Sequence, residues 1–507
     1  MKKKLTALLL GLVLAAGSVL TLASCANTDD KKPGVTTGTP NGDEVYDVTQ
    51  LPQVDMDGAV IGFCVAETDG DGFHLRSIRS DDEESEDIVD VAVRERNAKI
   101  EQYFNCSIEV VDYIPGGLNK SIQSQLIAGV SDYDILGARQ YDDVQLALRG
   151  VVYDLTKLGE DYPEAANYMN FDAPYWPSTY NDGLLVGQGR YWVTGDLCLR
   201  YSGGYYCYFV NHTLYNEKLA ETYGNVYDLV RNGKWSLDLL AEMAPTLWED
   251  SDNDDKTSTG DVLAIAQPVH DNTNGLAISS GVMFSYRHED GTIEYTFTAG
   301  NKTLESFMNK FAALLSQPGV HDYGADMVAA MNKFAEEEAV FAGGRLNQAE
   351  LYLRDMVSDY GILPNPKLSA DQENYISSIH DGVSLYGINN ACEQIPNAAL
   401  VLEAMEMESR KTVRPVYFEA AVKVKYSRGG DDADMIDLMD QTAYSDFVYV
   451  WQFSSEMSGL GGWLRNNITA GGFNNVKRNQ TKWKQGLEKI VEEINKLEGA
   501  SAEGAEQ

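Results

Sequence analysis

Apolar positions along this chain fall into two patterns, unbroken runs and helical stripes, and together they outline most of its elements. Residues 59–66 (Ala59-Val-Ile-Gly-Phe-Cys-Val-Ala66) form a continuous apolar run, the pattern of a strand covered on both faces. An acidic stretch at 81–87 leads into a helix. Ser85 can cap it, Glu86 and Asp87 suit its positive end, and Ile88, Val91, Ala92, Ile100 and Phe104 give it an apolar stripe. A second strand at 106–111, a helix at 120–129 and a third strand at 133–138 follow. Strand, helix, strand, helix, strand predicts a parallel α/β lobe.

Farther on, 189–196 and 205–210 read as strands, with a helix near 214–223 and another starting at the cap residue Ser236. Later strands are expected at 360–364 and 383–388. Leu487, Ile490, Val491, Ile494 and Leu497 mark an amphipathic closing helix, with residues 499–507 fraying beyond it. No fixed repeat is present, which sets aside solenoids and propellers.

The start of the chain follows another logic. Lys2, Lys3 and Lys4 precede an apolar run over 5–22, which ends in Leu22-Ala23-Ser24-Cys25. A basic start, an apolar segment and small residues before a Cys read as a bacterial lipoprotein export signal over 1–24, with Cys25 lipidated and kept. Residues 25–50 are Asp, Lys, Thr, Gly and Pro with little apolar content, a spacer from membrane to domain. The expected location is the outer face of the cell membrane. An ordinary cleaved signal would not need Cys25.

At 507 residues the chain exceeds one ordinary core and suggests two lobes. Asp plus Glu (77) outnumber Lys plus Arg (40), for a formal charge of −37 that disfavours nucleic acid as a partner. Beyond Cys25 five cysteines remain with no Cys-x-x-Cys pair, so zinc sites and disulfide frameworks are not expected. No His-Glu-x-x-His, Gly-x-Ser-x-Gly or Gly-Lys-Ser/Thr motif is present.

Several phrases together resemble the extracellular solute-binding proteins of ABC importers, the maltose-binding-protein-like family. They are Glu95-Arg-Asn-Ala-Lys-Ile-Glu-Gln-Tyr-Phe104, Tyr133-Asp-Ile-Leu-Gly-Ala-Arg139, Val210-Asn-His-Thr-Leu-Tyr215, Gly233-Lys-Trp-Ser-Leu-Asp238 and Asp359-Tyr-Gly-Ile-Leu-Pro-Asn-Pro-Lys367. Each is weak alone, but their order spans nearly all of the mature chain. The resemblance implies an α/β, two-lobed periplasmic-binding-protein-like (type II) fold with hinge strands near 204–209 and 378–386. Lobe 1 would take 54–203 with a later segment at about 380–415. Lobe 2 would take 210–377, completed by about 416–498. It further implies a monomer that captures a solute, most simply an oligosaccharide, and delivers it to ABC permease subunits, with no cofactor and no catalysis. The alternative is a secreted glycan-active lipoprotein enzyme, since paired carboxylates meet only in the fold.

Sugars present C–H faces that stack on aromatics and hydroxyl edges that need donors and acceptors. With 29 Tyr and 7 Trp the chain can supply the faces. In open sheets ligands gather beyond the carboxyl ends of strands, which singles out Glu67, Thr68, Arg139, Gln140 and Tyr141. Trp192, Asp196, Tyr205 and Tyr206 near the first crossing, Arg345 after two glycines, His380 and Asp381 at the second crossing, and Trp463 complete the candidate set. A core role for each aromatic and a surface ion pair for Arg345 or His380-Asp381 are the competing readings. Asp250, Asp252, Asp254, Lys256 (through its carbonyl), Ser258 and Asp261 occupy calcium-loop spacing, although Asp255 stands where a Gly makes the sharp turn. A structural calcium and a solvated acidic loop are both open.

Overall fold

The computed structural model describes residues 46–67, 72–80, 84–118, 120–130, 132–419, 430–469 and 471–505. The export signal, Cys25, nearly all of the spacer, Thr68 and part of the acidic stretch lie outside these residues. Among the described residues no helix is long and apolar enough to cross a membrane.

The strands are β1 (Ala59–Glu67), β2 (Cys106–Pro115), β3 (Ile135–Arg139), β4 (Tyr206–Asn211), β5 (Leu263–Gln267), β6 (Ser285–Arg287), β7 (Ile293–Tyr295), β8 (Val320–Asp322), β9 (Ala339–Arg345), β10 (Tyr360–Pro364) and β11 (Ser384–Ile388). They form two open sheets and a small β6–β7 hairpin. The first sheet runs β11-β3-β1-β2, parallel except for β11. The second runs β10-β4-β9-β5-β8, with β4 antiparallel to both neighbours and β5 parallel to both of its own. All residues of β4, β5, β10 and β11 are buried, as their unbroken apolar character requires. Edge strand β2 instead alternates in exposure over much of its length. Helices Ile88–Phe104 and Ile395–Glu408 pack on the first sheet's side, and Leu237–Leu247, Lys302–Leu315 and Met327–Ala335 on the second's.

Two of the segments that pass between the sheets pair with each other. Tyr205 and Ile379 form an antiparallel bridge. The Tyr206 N–H donates to the Ser378 carbonyl at 3.1 Å and the His380 N–H to that of Gly204 at 2.9 Å. The junction is therefore a short two-stranded strap.

Three details differ from the sequence expectations. The first long helix is capped by Asp87, whose carboxylate accepts the Val89 N–H at 2.9 Å; Ser85 instead donates to Asp90 at 2.6 Å. Residues 189–196 do not form a strand. They touch β11 through the single Val193–Tyr386 bridge, and the Asn181 side chain bonds both the N–H and the carbonyl of Thr194, at 3.0 and 2.9 Å. One side-chain amide thus satisfies the groups a neighbouring strand would have paired. The closing helix Val476–Ala505 continues past Gly499, where fraying was expected, with Trp483, Leu487, Ile490 and Ile494 buried along one face.

Candidate functional site

The parallel strands of both sheets direct their carboxyl ends toward the region of the strap, where a cavity of about 260 Å³ lies. The first sheet contributes Arg139 at the end of β3 and Tyr141 in the turn of helix that follows. Arg139 is held at its backbone, where its N–H donates to Asp143 Oδ2 at 3.1 Å. Its guanidinium pairs with Asp142 and lies 4.4 Å from the centre of the Tyr141 ring. That ring in turn meets Phe453 edge to face at 4.9 Å.

The second sheet contributes His270, Asp271 and Asn274 from the helix Val269–Ser279, which begins directly after β5. The strap supplies Tyr206, His380, Asp381 and Gly382. Tyr206 can sit here because its neighbour is Gly275: a Cβ at that position would come within 2.5 Å of the Tyr206 ring. The Tyr206 and His380 rings are 5.8 Å apart. His380 Nδ1 accepts the Gly382 N–H at 3.0 Å, which places the remaining ring proton on Nε2, 3.5 Å from Asp271 Oδ1.

The carboxyls of the two acids are shifted in opposite directions. Burial alone would raise the Asp271 carboxyl, but Arg345, with Nε at 3.2 Å, and then His380 hold it well below the usual carboxylate range. Burial raises Asp381, with His380 opposing it incompletely. Gln452 ties the walls together, donating to Asp381 at 3.4 Å and accepting from Asn274 at 3.0 Å. The cavity thus offers one fixed acceptor, one carboxyl biased toward its protonated form, several donors, and the rings of Tyr141, Tyr206 and Phe453. That is the equipment for binding a polyhydroxylated guest.

Among the residues singled out in the sequence, Arg139, Tyr141, Tyr206, His380 and Asp381 line this cavity. Arg345 stands behind it, ion-paired with Asp271. The others lie elsewhere. Gln140 is fully buried and accepts from Tyr180 OH at 2.8 Å. Trp192 is a core residue whose indole N–H donates to the Val144 carbonyl at 3.0 Å. Trp463 packs against Phe297 and Trp483. Tyr205 alternates with Tyr206 along the strap and donates to Asp440 at 2.8 Å, away from the cavity. Asp196 is buried between Arg410 (2.9 Å) and Arg414 (3.0 Å), and Arg414 reaches Asp440 at 2.7 Å. Asp196 and Asp440 border a separate cavity of about 240 Å³. His270, Asp271, Asn274, Phe453 and Arg465 are cavity residues the sequence reading missed.

In the acidic loop, Asp250, Asp252 and Asp254 bring carboxylate oxygens within 4.8 Å of one another. Asp261 does not join them. It is buried and accepts the N–H groups of Ser251 (3.0 Å) and Ser258 (2.7 Å) and the Trp248 indole N–H (3.3 Å). The Lys256 ammonium lies 3.4 Å from Asp254.

No family model and no curated protein matches the chain. Solved structures do. The galacto-N-biose/lacto-N-biose I-binding protein of the ABC transporter from Bifidobacterium longum, in complex with lacto-N-biose, aligns over 86% of this chain and 98% of its own, with a TM-score of 0.56 and 13% identity. UspC of M. tuberculosis aligns over 84% and 99%, with a TM-score of 0.51 and 14% identity. A family 1 extracellular solute-binding protein from Bifidobacterium longum subsp. infantis aligns over 84% and 99%, with a TM-score of 0.50 and 13% identity. The fold is therefore the two-lobed fold of the extracellular solute-binding proteins of ABC transporters.

Proposed function

We propose that the protein is a lipid-anchored receptor on the outer face of the cell membrane that captures a saccharide and passes it to ABC permease subunits. The observation that carries this reading is the cavity at the junction of the two sheets. Each sheet contributes to its walls, and the crossover strap supplies Tyr206, His380 and Asp381. A guest touching both halves stabilises their approach, and the shared form is what a permease would recognise. The volume, just below the roughly 300–1,000 Å³ common for ligand pockets, suits a short saccharide. The lipid anchor rests on Leu22-Ala23-Ser24-Cys25.

The test is a thermal-shift screen of the purified mature chain against mono- and disaccharides, followed by calorimetry and chromatography of the recovered sugar. A raised melting temperature with the sugar unchanged supports the receptor. Conversion of the sugar supports the rival reading, a glycan-active enzyme. Labelling with radioactive palmitate in a bacterial host, lost in Cys25→Ala, tests the anchor.

A further inference from the structure

We propose that the saccharide bound here is acidic, and that Arg465 receives its carboxylate. This deepens the receptor reading above and rests on it. The arginines around the cavity differ in how they are paired. Arg139 is paired with Asp142, and Arg345 with Asp271. Arg465 lines the cavity on the short helix Trp463–Asn466, yet among the described residues no carboxylate pairs with it. Its contacts are two long hydrogen bonds to His270, at 3.4 Å to Nδ1 and 3.5 Å to the carbonyl, and its buried Nε–H has no partner.

Among the described residues no carboxylate oxygen comes within ion-pair distance of that guanidinium, although Asp381 feels its charge across the cavity. Burial, and then Arg465 itself, keep the His270 ring toward its uncharged form. Asp381, the remaining acid of the wall, is engaged instead by Gln452 at 3.4 Å and His380 at 3.7 Å. The helix is fixed in place, because Trp463 is clamped against Phe297 and Trp483, at ring separations of 5.8 and 5.4 Å. A positioned, half-buried guanidinium facing a polar cavity matches a planar carboxylate, which it can hold by two parallel hydrogen bonds. On a sugar, that group is a uronic acid. Tyr141, Tyr206 and Phe453 then serve the ring faces, while Asp271 and Asn274 serve hydroxyls.

The test compares digalacturonate with the neutral galactobiose of the same linkage, by calorimetry on the mature chain. A hydrogen-bonded carboxylate on Arg465 is expected to favour the uronate by about tenfold or more. Arg465→Gln should erase that preference, weakening digalacturonate far more than galactobiose, while Arg465→Lys should keep part of it. Because Arg465 makes only two long bonds to the protein, both variants should melt close to wild type. Galactobiose binding as tightly as digalacturonate, or Arg465→Gln weakening both sugars equally, would overturn the inference and leave the receptor reading standing. If no saccharide of either kind binds, both fall.

Discussion

Arg345 Nε and Asp271 Oδ2 stand 3.2 Å apart, joining the end of β9 to the helix that follows β5. Arg345 does not itself line the cavity, but it fixes the charge and orientation of an acid that does. Arg345→Gln is therefore expected to weaken saccharide binding by about tenfold, through the loss of a buried charge partner for Asp271, with Asp271 less firmly ionised. Calorimetry of the variant at pH 6 and pH 8 checks this. The deficit should be larger at pH 6, where an Asp271 freed from Arg345 takes up a proton more readily.

Gly275 and Tyr206 are complementary shapes. Adding a methyl group at Gly275 would place it 2.5 Å from the Tyr206 ring, so the ring must swing into the cavity or the helix must retreat. Gly275→Ala should cost about 1–3 kcal/mol of stability, as overpacking does, and should also lower saccharide affinity. A urea denaturation curve paired with a binding isotherm separates the two effects. The double variant Gly275→Ala, Tyr206→Ala should recover stability but not binding.

Asp143 gives a pH dependence of definite sign. Burial raises its carboxyl from 3.8 to about 6, against the backbone N–H groups of Arg139 and Leu118 that it accepts. Its Oδ1 has no hydrogen-bond partner, which leaves a place for the proton. A folded pKa above the unfolded one contributes stability that is complete below pH 3.8 and lost as the pH rises through 6. Asp143→Asn imitates the protonated form. Relative to wild type it should be neutral near pH 4 and more stable by up to about 3 kcal/mol above pH 7. An equal difference at both pH values would show that the carboxyl does not titrate in this window.

Asp196, Arg410, Arg414 and Asp440 form a partly buried charge network on the side of the strap that Tyr205 faces. Removing one buried member leaves its partners uncompensated. Asp196→Ala should cost about 3–5 kcal/mol. Asp196→Asn, which keeps two hydrogen-bonding atoms, should cost less. Chemical denaturation of both variants measures the ordering, and equal costs would mean that packing at this position outweighs its charge.

Much of the scaffold was legible because its strands are unbroken apolar runs and its helices carry clear stripes. The rule that ligands collect beyond strand carboxyl ends located Arg139 and Tyr141. Applied to the apolar run Leu263–Gln267, the same rule would have found His270 and Asp271. No local signal marked Phe453 or Arg465, which reach the cavity from the last part of the chain only through tertiary packing. Trp192 and Trp463 misled for the opposite reason. An aromatic at the edge of a strand or loop looks the same in sequence whether it faces a guest or the core, and both of these face the core. The apparent strand at 189–196 failed because a single amide, Asn181, could stand in for its neighbour.

The strap between the sheets is only one bridge wide at Tyr205 and Ile379, with a hydrogen bond on either side. A rotation of one half against the other about that line would displace residues in proportion to their distance from it. Tyr206 and His380 sit beside that line and would travel little in such a rotation, while Tyr141 and His270, off the strap, would travel farther. A guest would first meet the residues at the axis in a nearly constant arrangement and gain the outer ones only as the jaws swing shut, so the inner pair would govern capture and the outer pair the length of its stay.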